Sequence, residues 1–178
     1  MRERMSRRQR LPLEQTLLGF LTQKPMHGYD LNQQVKAELG EVWYMGISNI
    51  YGALKRLDQS GQVESSLVPQ NDRPSRKVYR ITPAGEQSFL DWLRQPVPVI
   101  REMRVEFPTK LYFFRALDLQ GADDLITAQE AVCREHVERL EHKAAQCAPC
   151  DINRLVFDFR RRQIEAIIDW LHTCGEEI

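Results

Sequence analysis

The sequence predicts a mainly α-helical chain that carries one β-hairpin. Three observations predict it. Apolar residues recur at helical spacing over most of the length, the period changes to that of strands between residues 62 and 82, and proline or glycine closes most periodic stretches.

Leu13–Gln23 is apolar at 13, 17, 18, 20 and 21 and is closed by Lys24-Pro25. His27-Gly28 reads as a turn. Tyr29–Leu39 is a second helix, with Tyr29, Leu31, Val35 and Leu39 on its apolar side and Gly40 as its stop. Ser48–Ser60 is the third: Ile47, Ile50, Leu54 and Leu57 share one face at 100° per residue, and Gly61 ends it. Strand patterns follow over Gln62–Val68 and Arg76–Thr82, joined by a seven-residue polar loop, Pro69–Ser75. Thr82 before Pro83 is a helix start, a capping hydroxyl and then proline at the first helical position. The fourth helix runs to about Gln95, where Pro96 and Pro98 break it. Three helices and then a hairpin is the order of a winged helix-turn-helix.

The rest reads as all helical. Thr109–Leu119 contains Leu111, Tyr112, Phe113 and Phe114; Ala122–Ala148 has a seam at Leu125, Ala128, Val132, His136, Leu140 and Ala144. Its outer face carries Glu130/Arg134 and Glu135/Arg139 at favourable i,i+4 spacing. Asp151 is placed to cap the last helix, Ile152–Cys174, whose apolar residues include Leu155, Val156, Phe159, Ala166, Ile167, Trp170 and Leu171. Two antiparallel helices form a thin layer that needs cover, and a second copy of the chain is the simplest cover. The candidate dimer contacts are Leu125, Val132, Leu140, Leu155, Phe159, Ile167, Trp170 and Leu171. The expected division is a basic arm at 1–12, a winged helix-turn-helix domain at 13–95 and a helical dimerisation domain at 96–178.

The 178 residues carry no net formal charge, but residues 1–95 hold 14 basic against 10 acidic side chains and residues 96–178 hold 11 against 15. A basic front suits a polyanionic partner. The arginine-rich start (Arg2, Arg4, Arg7, Arg8, Arg10) is not followed by a continuous apolar run, and no stretch is apolar enough for a membrane helix. With four cysteines and no export signal, the expected location is the cytoplasm with mostly free thiols. No Ser/His/Asp set, phosphate-binding glycine loop or paired carboxylates stands out, so neither an enzyme nor a cofactor is expected. Cys147-Ala-Pro-Cys150 has the CxxC spacing of redox and metal motifs, but it falls in a helix-to-helix turn without the further ligands of a zinc site, and no metal is expected. The triple Arg160–Arg162 reads as a solvated or ion-paired face.

Opposite the apolar face of the third helix lie Ser48, Gly52, Lys55, Arg56 and Gln59, with Asn49 beside them and Tyr51 at the boundary. Hydroxyls, an amide, a position without a side chain and two cations suit base edges in a major groove and the phosphates beside them. Gly52 costs the helix about 1 kcal/mol relative to Ala, which a close approach to DNA would offset. Arg73, Arg76, Lys77 and Arg80 lie on or beside the hairpin loop, where cations meet phosphates or enter the minor groove. The competing readings are a solvated helix face and a hairpin edge kept soluble by its cations.

The stretches LLGFLTQKPMHGYDL, NIYGALKRLDQSGQVES and PSRKVYRITPAG, in that order over about Leu17–Trp92, resemble the PadR family of transcriptional regulators. The resemblance implies that Ser48–Ser60 is the recognition helix and that the chain is a repressor-like homodimer binding double-stranded DNA. The chain departs from the family at Ser48-Asn49, commonly a Gly-Thr or Gly-Ser step, and at Gly52, commonly Pro, so no operator sequence carries over. The C-terminal half is similar to that of members with a multi-helix dimerisation domain, and EMRVEFPTKLYFFRAL resembles their helix after the wing. The expected function is sequence-specific repression on a pseudo-palindromic operator, with release by a small aromatic effector left open. Trp43, Tyr44, Trp92, Tyr112 and Phe113 are candidates to line such an effector's pocket, against the plainer reading of aromatic core. The alternatives are a winged-helix protein-interaction module and a thiol-redox switch using Cys147 and Cys150.

Overall fold

The computed structural model describes residues 12–70 and 73–177. The arginines of the N-terminal arm lie outside the described residues. Seven helices and three strands follow in the order α1 (Leu13–Gln23), β1 (Met26–His27), α2 (Gly28–Leu39), α3 (Ile47–Gln59), β2 (Val63–Gln70), β3 (Arg73–Ile81), α4 (Pro83–Arg94), α5 (Ile100–Ala116), α6 (Ala122–Ala145) and α7 (Ile152–Glu177). The fold is mainly α with one small antiparallel sheet of order β1-β3-β2.

α1 lies at the centre of the N-terminal unit, with Leu17, Leu18 and Phe20 fully buried. Gly19 lets it approach so closely that an added Cβ would stand 2.5 Å from the Phe113 ring and 2.7 Å from that of Phe89. Phe113 meets Phe20 and Phe89 edge-to-face, at 5.2 Å each. These contacts join the helical half to the winged unit. Burying one such ring contributes on the order of 1.5–3 kcal/mol, and the edge contacts add about 0.5–1.5 kcal/mol each.

Thr82 caps α4 as expected: its Oγ1 accepts from the Gly85 N–H at 3.2 Å and donates to the Gly61 carbonyl at 2.7 Å. Asp151 accepts from the Asn153 N–H at 2.8 Å at the start of α7. The Glu130–Arg134 and Glu135–Arg139 pairs form, and Arg161 and Arg162 are ion-paired to Asp158 at 2.8 and 2.9 Å.

Several expectations are corrected. His27 is not a turn residue but half of β1, paired to Val78 beside Met26–Tyr79, a two-residue strand too short to reveal an alternating pattern. The strands reach further than the seven-residue loop implied: Gln70 pairs with Arg73, with the register shifting between Val68 and Gln70, where Pro69 has no N–H to donate. Ile47, assigned to the buried face of α3, is 40% exposed because it opens the helix before the packed turns begin.

The helix expected from Thr109 starts nine residues earlier, at Ile100, and runs through Pro108. An interior proline costs about 3 kcal/mol. Burial of Met103, Val105 and Phe107 before it, and of Leu111, Phe113 and Phe114 after it, outweighs that cost. α6 ends three residues before the expected Ala148, and α7 continues three beyond Cys174.

Candidate nucleic-acid interface

α3 buries Ile50, Ala53, Leu54 and Leu57 and turns its other face outward. Ser48, Asn49, Tyr51, Lys55, Arg56 and Gln59 are all exposed, with Gly52 half-buried among them. Tyr51, 46% exposed, rests its ring against Gly28, where an added Cβ would meet Cε1 at 2.5 Å. That contact fixes the tyrosine between α2 and α3 and leaves its edge in solvent. At Gly52 the situation differs: an added Cβ would meet only the Arg56 Nη1, at an ordinary 3.5 Å. Among the described residues, nothing requires a glycine there.

Three of the cations have acidic partners that the sequence reading overlooked. Arg56 Nε donates to Glu14 Oε1 of α1 at 2.5 Å. Lys77 Nζ donates to Asp58 Oδ2 at 2.9 Å, and Arg80 lies 3.8 Å from Glu64 across the hairpin. These residues are 42, 19 and 16 positions apart in sequence, too distant for any local spacing rule. The Lys77 hydrogen bond holds the Asp58 carboxyl below its ordinary range, and the same bond pushes the Lys77 ammonium up. Exposed pairs of this kind contribute about 0–1 kcal/mol, so a phosphate can replace the carboxylate on Arg56 or Arg80 at small cost, and the Lys77 ammonium, with three donors, can meet a phosphate while it keeps Asp58. Among the described residues, no ion pair engages Lys55 or Arg76. Arg73 opens β3 opposite Gln70, at the outer end of the hairpin.

α3 therefore presents hydroxyl, amide, phenol and cation along one exposed face, and the hairpin that follows it carries further cations. A convex helix face of this chemistry with a basic ribbon beside it matches the reading surface of a major groove and the flanking backbone. Residues 17–91 match the Transcriptional regulator PadR-like family. This stretch is a PadR-like domain. The Bacillus subtilis negative transcriptional regulator PadR is 34% identical over 117 residues, which cover 66% of this chain and 64% of that protein. A probable transcriptional regulator of Mycobacterium tuberculosis, Rv1176c, is 27% identical over 94 residues, covering 53% and 50%. The matches thus span less than two thirds of the length of these curated relatives. Among solved structures, that of Bacillus subtilis PadR in complex with operator DNA is similar at 28% identity and a TM-score of 0.48, covering 93% of this chain and 97% of that one. The same protein with p-coumaric acid gives 28% identity, a TM-score of 0.42 and coverage of 90% and 92%.

The aromatic candidates for an effector site are not gathered in one place. Phe113 is fully buried; Tyr112 lies 5.1 Å from it, and Trp92 joins the group through Phe89 at 6.1 Å. Burial, and then the neighbouring Glu38 carboxylate, push the Tyr112 phenol up to about 12. Trp92 donates its indole N–H to Glu106 at 2.8 Å and carries the Lys110 ammonium 4.7 Å from its ring centre. Tyr44 stands apart, 78% exposed, and Trp43 is buried.

The dimer candidates also divide. Leu125 and Leu171 are 1% and 0% exposed inside the single chain, so they are core rather than contact residues. Val132, Leu140 and Ile167 are half-buried, while Leu155, Phe159 and Trp170 are 67%, 62% and 40% exposed. Ile152 and Val156 extend this exposed apolar face of α7. Between α6 and α7 a groove of about 360 Å³ is lined by Leu140, Ala144, Leu155 and Phe157, with Arg154 and Asp158 at its polar side. Cys147 and Cys150 lie in the α6–α7 turn as free thiols, and no His/Cys/Asp/Glu group suited to a metal is found among the described residues. No helix among them is long and apolar enough to cross a membrane.

Proposed function

We propose that this chain is a cytoplasmic, sequence-specific DNA-binding transcriptional regulator, a repressor that acts as a homodimer on a pseudo-palindromic operator. The observation that carries the reading is the exposed face of α3: Ser48, Asn49, Tyr51, Gly52, Lys55 and Arg56 lie together inside the PadR-like domain, with a basic hairpin next in the chain. The DNA-binding unit is residues 13–95. α3 enters the major groove, and Arg73, Arg76 and Lys77 of the wing meet the flanking backbone. Repression is the sense carried by the name of the 34% identical relative. Residues 96–178 join two copies, and the apolar face of α7 supports this, since a solvated helix gains nothing by exposing Leu155 and Phe159. Two copies place their α3 helices in successive major grooves, about 34 Å apart.

The effector of this reading is a small aromatic molecule acting at the aromatic junction of α1, α4 and α5, where Phe20, Phe89, Trp92, Tyr112 and Phe113 tie the two halves together. p-Coumaric acid is the first probe, and release of bound DNA is the result that supports this part.

The deciding experiment is enrichment of duplexes from a randomised pool, followed by affinity measurements across a salt series. Lys55→Ala and Arg76→Ala should each weaken binding and lower the salt slope by about 0.9. Unchanged affinity and slope in both variants would remove the proposed docking.

A further inference from the structure

The chain between α3 and the hairpin is only Ser60–Gln62, and its backbone is held at both ends: Gln62 N–H donates to Leu57 O at 2.9 Å, and Thr82 N–H to Gln62 O at 3.1 Å. These bonds fix the base of the wing, not its direction. β2 extends eight residues, about 25 Å at strand rise, so a rotation of roughly 10° at the base moves the tip by about 4 Å. A shift of about 4 Å exceeds the length of a hydrogen bond, enough to lose a phosphate contact. Further out, β1 ties β3 to the body at Met26–Tyr79 and His27–Val78, but that pairing runs to the side of α2 and leaves the angle against α3 to a separate tie.

Asp58 supplies it. One oxygen of this carboxylate, Oδ2, accepts from Ser65 Oγ of β2 at 3.0 Å and from Lys77 Nζ of β3 at 2.9 Å. The register sets Ser65 opposite Tyr79 and Lys77 opposite Leu67, so the two are diagonal neighbours on one face, outside the closing pair Val63–Ile81. The last full turn of α3 thus holds both strands at once. Lys77 is steadied from two more sides: its ammonium lies 5.2 Å from the Tyr79 ring centre, and its carbonyl is 3.1 Å from His27 Nδ1 of β1.

The geometry points to Asp58 as a positioning residue that sets the angle of the wing against the recognition helix and thereby the discrimination between operator and random DNA. This rests on the DNA-binding reading above. The carboxylate has two effects on binding, of opposite sign. Holding the wing lets helix and hairpin reach their contacts together, which helps only the duplex whose bases α3 can read. Neutralising Lys77 reduces a pull on phosphate that every duplex feels equally. Removing the charge therefore weakens the specific complex and spares or strengthens the non-specific one.

Asp58→Asn keeps the shape and the Ser65 bond but loses the ion pair; Ser65→Ala loses the β2 link and leaves the pair. In each variant, amide hydrogen exchange is followed in the free protein, and affinity is measured for a duplex enriched by the wild type and for a scrambled duplex of equal length. For Asp58→Asn, wing amides in β2 and β3 should exchange about five-fold faster while those of α1 keep their rates, the scale expected of one part-exposed charged pair. The ratio of enriched to scrambled affinity should fall about five-fold, with scrambled binding equal to or tighter than wild type. Ser65→Ala should lower the ratio by less. Wing exchange at wild-type rates in Asp58→Asn overturns the positioning role whatever the DNA result. Equal losses on both duplexes overturn the discrimination role. Failure of the wild type to enrich any duplex strikes the DNA-binding reading instead, and the exchange rates still decide the tie.

Discussion

The side-chain amide of Gln129 makes a closed pair of hydrogen bonds with the backbone of Val97, accepting from its N–H at 2.6 Å and donating to its carbonyl at 3.0 Å. Both residues are fully buried. Val97 belongs to the link between α4 and α5, so an α6 side chain holds the strap that leads from the winged unit to the helical half. Nearby, His136 of α6 lies 3.2 Å from the Pro98 carbonyl.

Gln129→Leu keeps the volume and strands two buried backbone groups, each at a cost of about 1–3 kcal/mol. The midpoint of thermal unfolding should fall by roughly 5–15 °C for a chain of this size. A midpoint within about 1 °C of wild type would mean that the strap finds other partners.

Gly52→Ala should separate stability from binding. The added methyl meets only Arg56 Nη1 at 3.5 Å, and alanine favours the helix by about 1 kcal/mol, so the fold should become more stable by about that amount. Affinity for the enriched duplex should nonetheless fall if backbone meets DNA at this position. A variant that is stabilised and binds as tightly as wild type would return Gly52 to the status of a tolerated glycine on a solvated face.

The winged unit was legible because its signals are local. The apolar stripe of α3, the glycine after it and the Thr82-Pro83 cap each lie within one or two turns, and α3 and α4 formed within a residue or so of their expected bounds. What escaped was non-local. β1 is defined only by its pairing with Val78 and Tyr79, and Asp58 acts through residues 7 and 19 positions away. The seam of α6 and α7 illustrates a different limit. Helical spacing says that Leu125, Leu171, Leu155 and Phe159 want cover, but not which surface provides it. Leu125 and Leu171 are covered within the chain, and Leu155 and Phe159 are not.

That division yields a test of assembly. Leu155→Glu with Phe159→Glu places charges at sites already open to solvent, so the single chain should keep its helical content. Each apolar side chain buried at an interface contributes on the order of 1.5–3 kcal/mol, and both copies lose it. If residues 96–178 join two copies as proposed, sedimentation should find a dimer for the wild type and a monomer for the double variant. Leu171→Glu, with its charge directed into the core, should instead unfold the chain. A double variant that remains dimeric would move the interface away from α7.

Lys110 provides a pH-dependent test. It is 1% exposed, and its ammonium donates to the Gln95 carbonyl at 2.5 Å and pairs with Glu106 at 3.1 Å, beneath the face of Trp92. Burial pulls its pKa below 10.5, with the Glu106 carboxylate opposing in part. The folded chain therefore releases this proton at lower pH than the unfolded chain does. Between the folded pKa and 10.5 the unfolded state binds more protons at this site, so its contribution to stability rises with pH and levels off above 10.5. Lys110→Met removes that slope. It also leaves the half-buried Glu106 without its cation, which should destabilise the chain near neutrality by less than the roughly 3–5 kcal/mol of a fully buried pair, and Glu106→Gln in the same chain should restore part of the loss. Denaturant unfolding of wild type and Lys110→Met from pH 7 to 10.5 measures both effects. The wild-type curve should rise relative to the variant's as pH increases, and parallel curves would mean that this lysine titrates as it does in water.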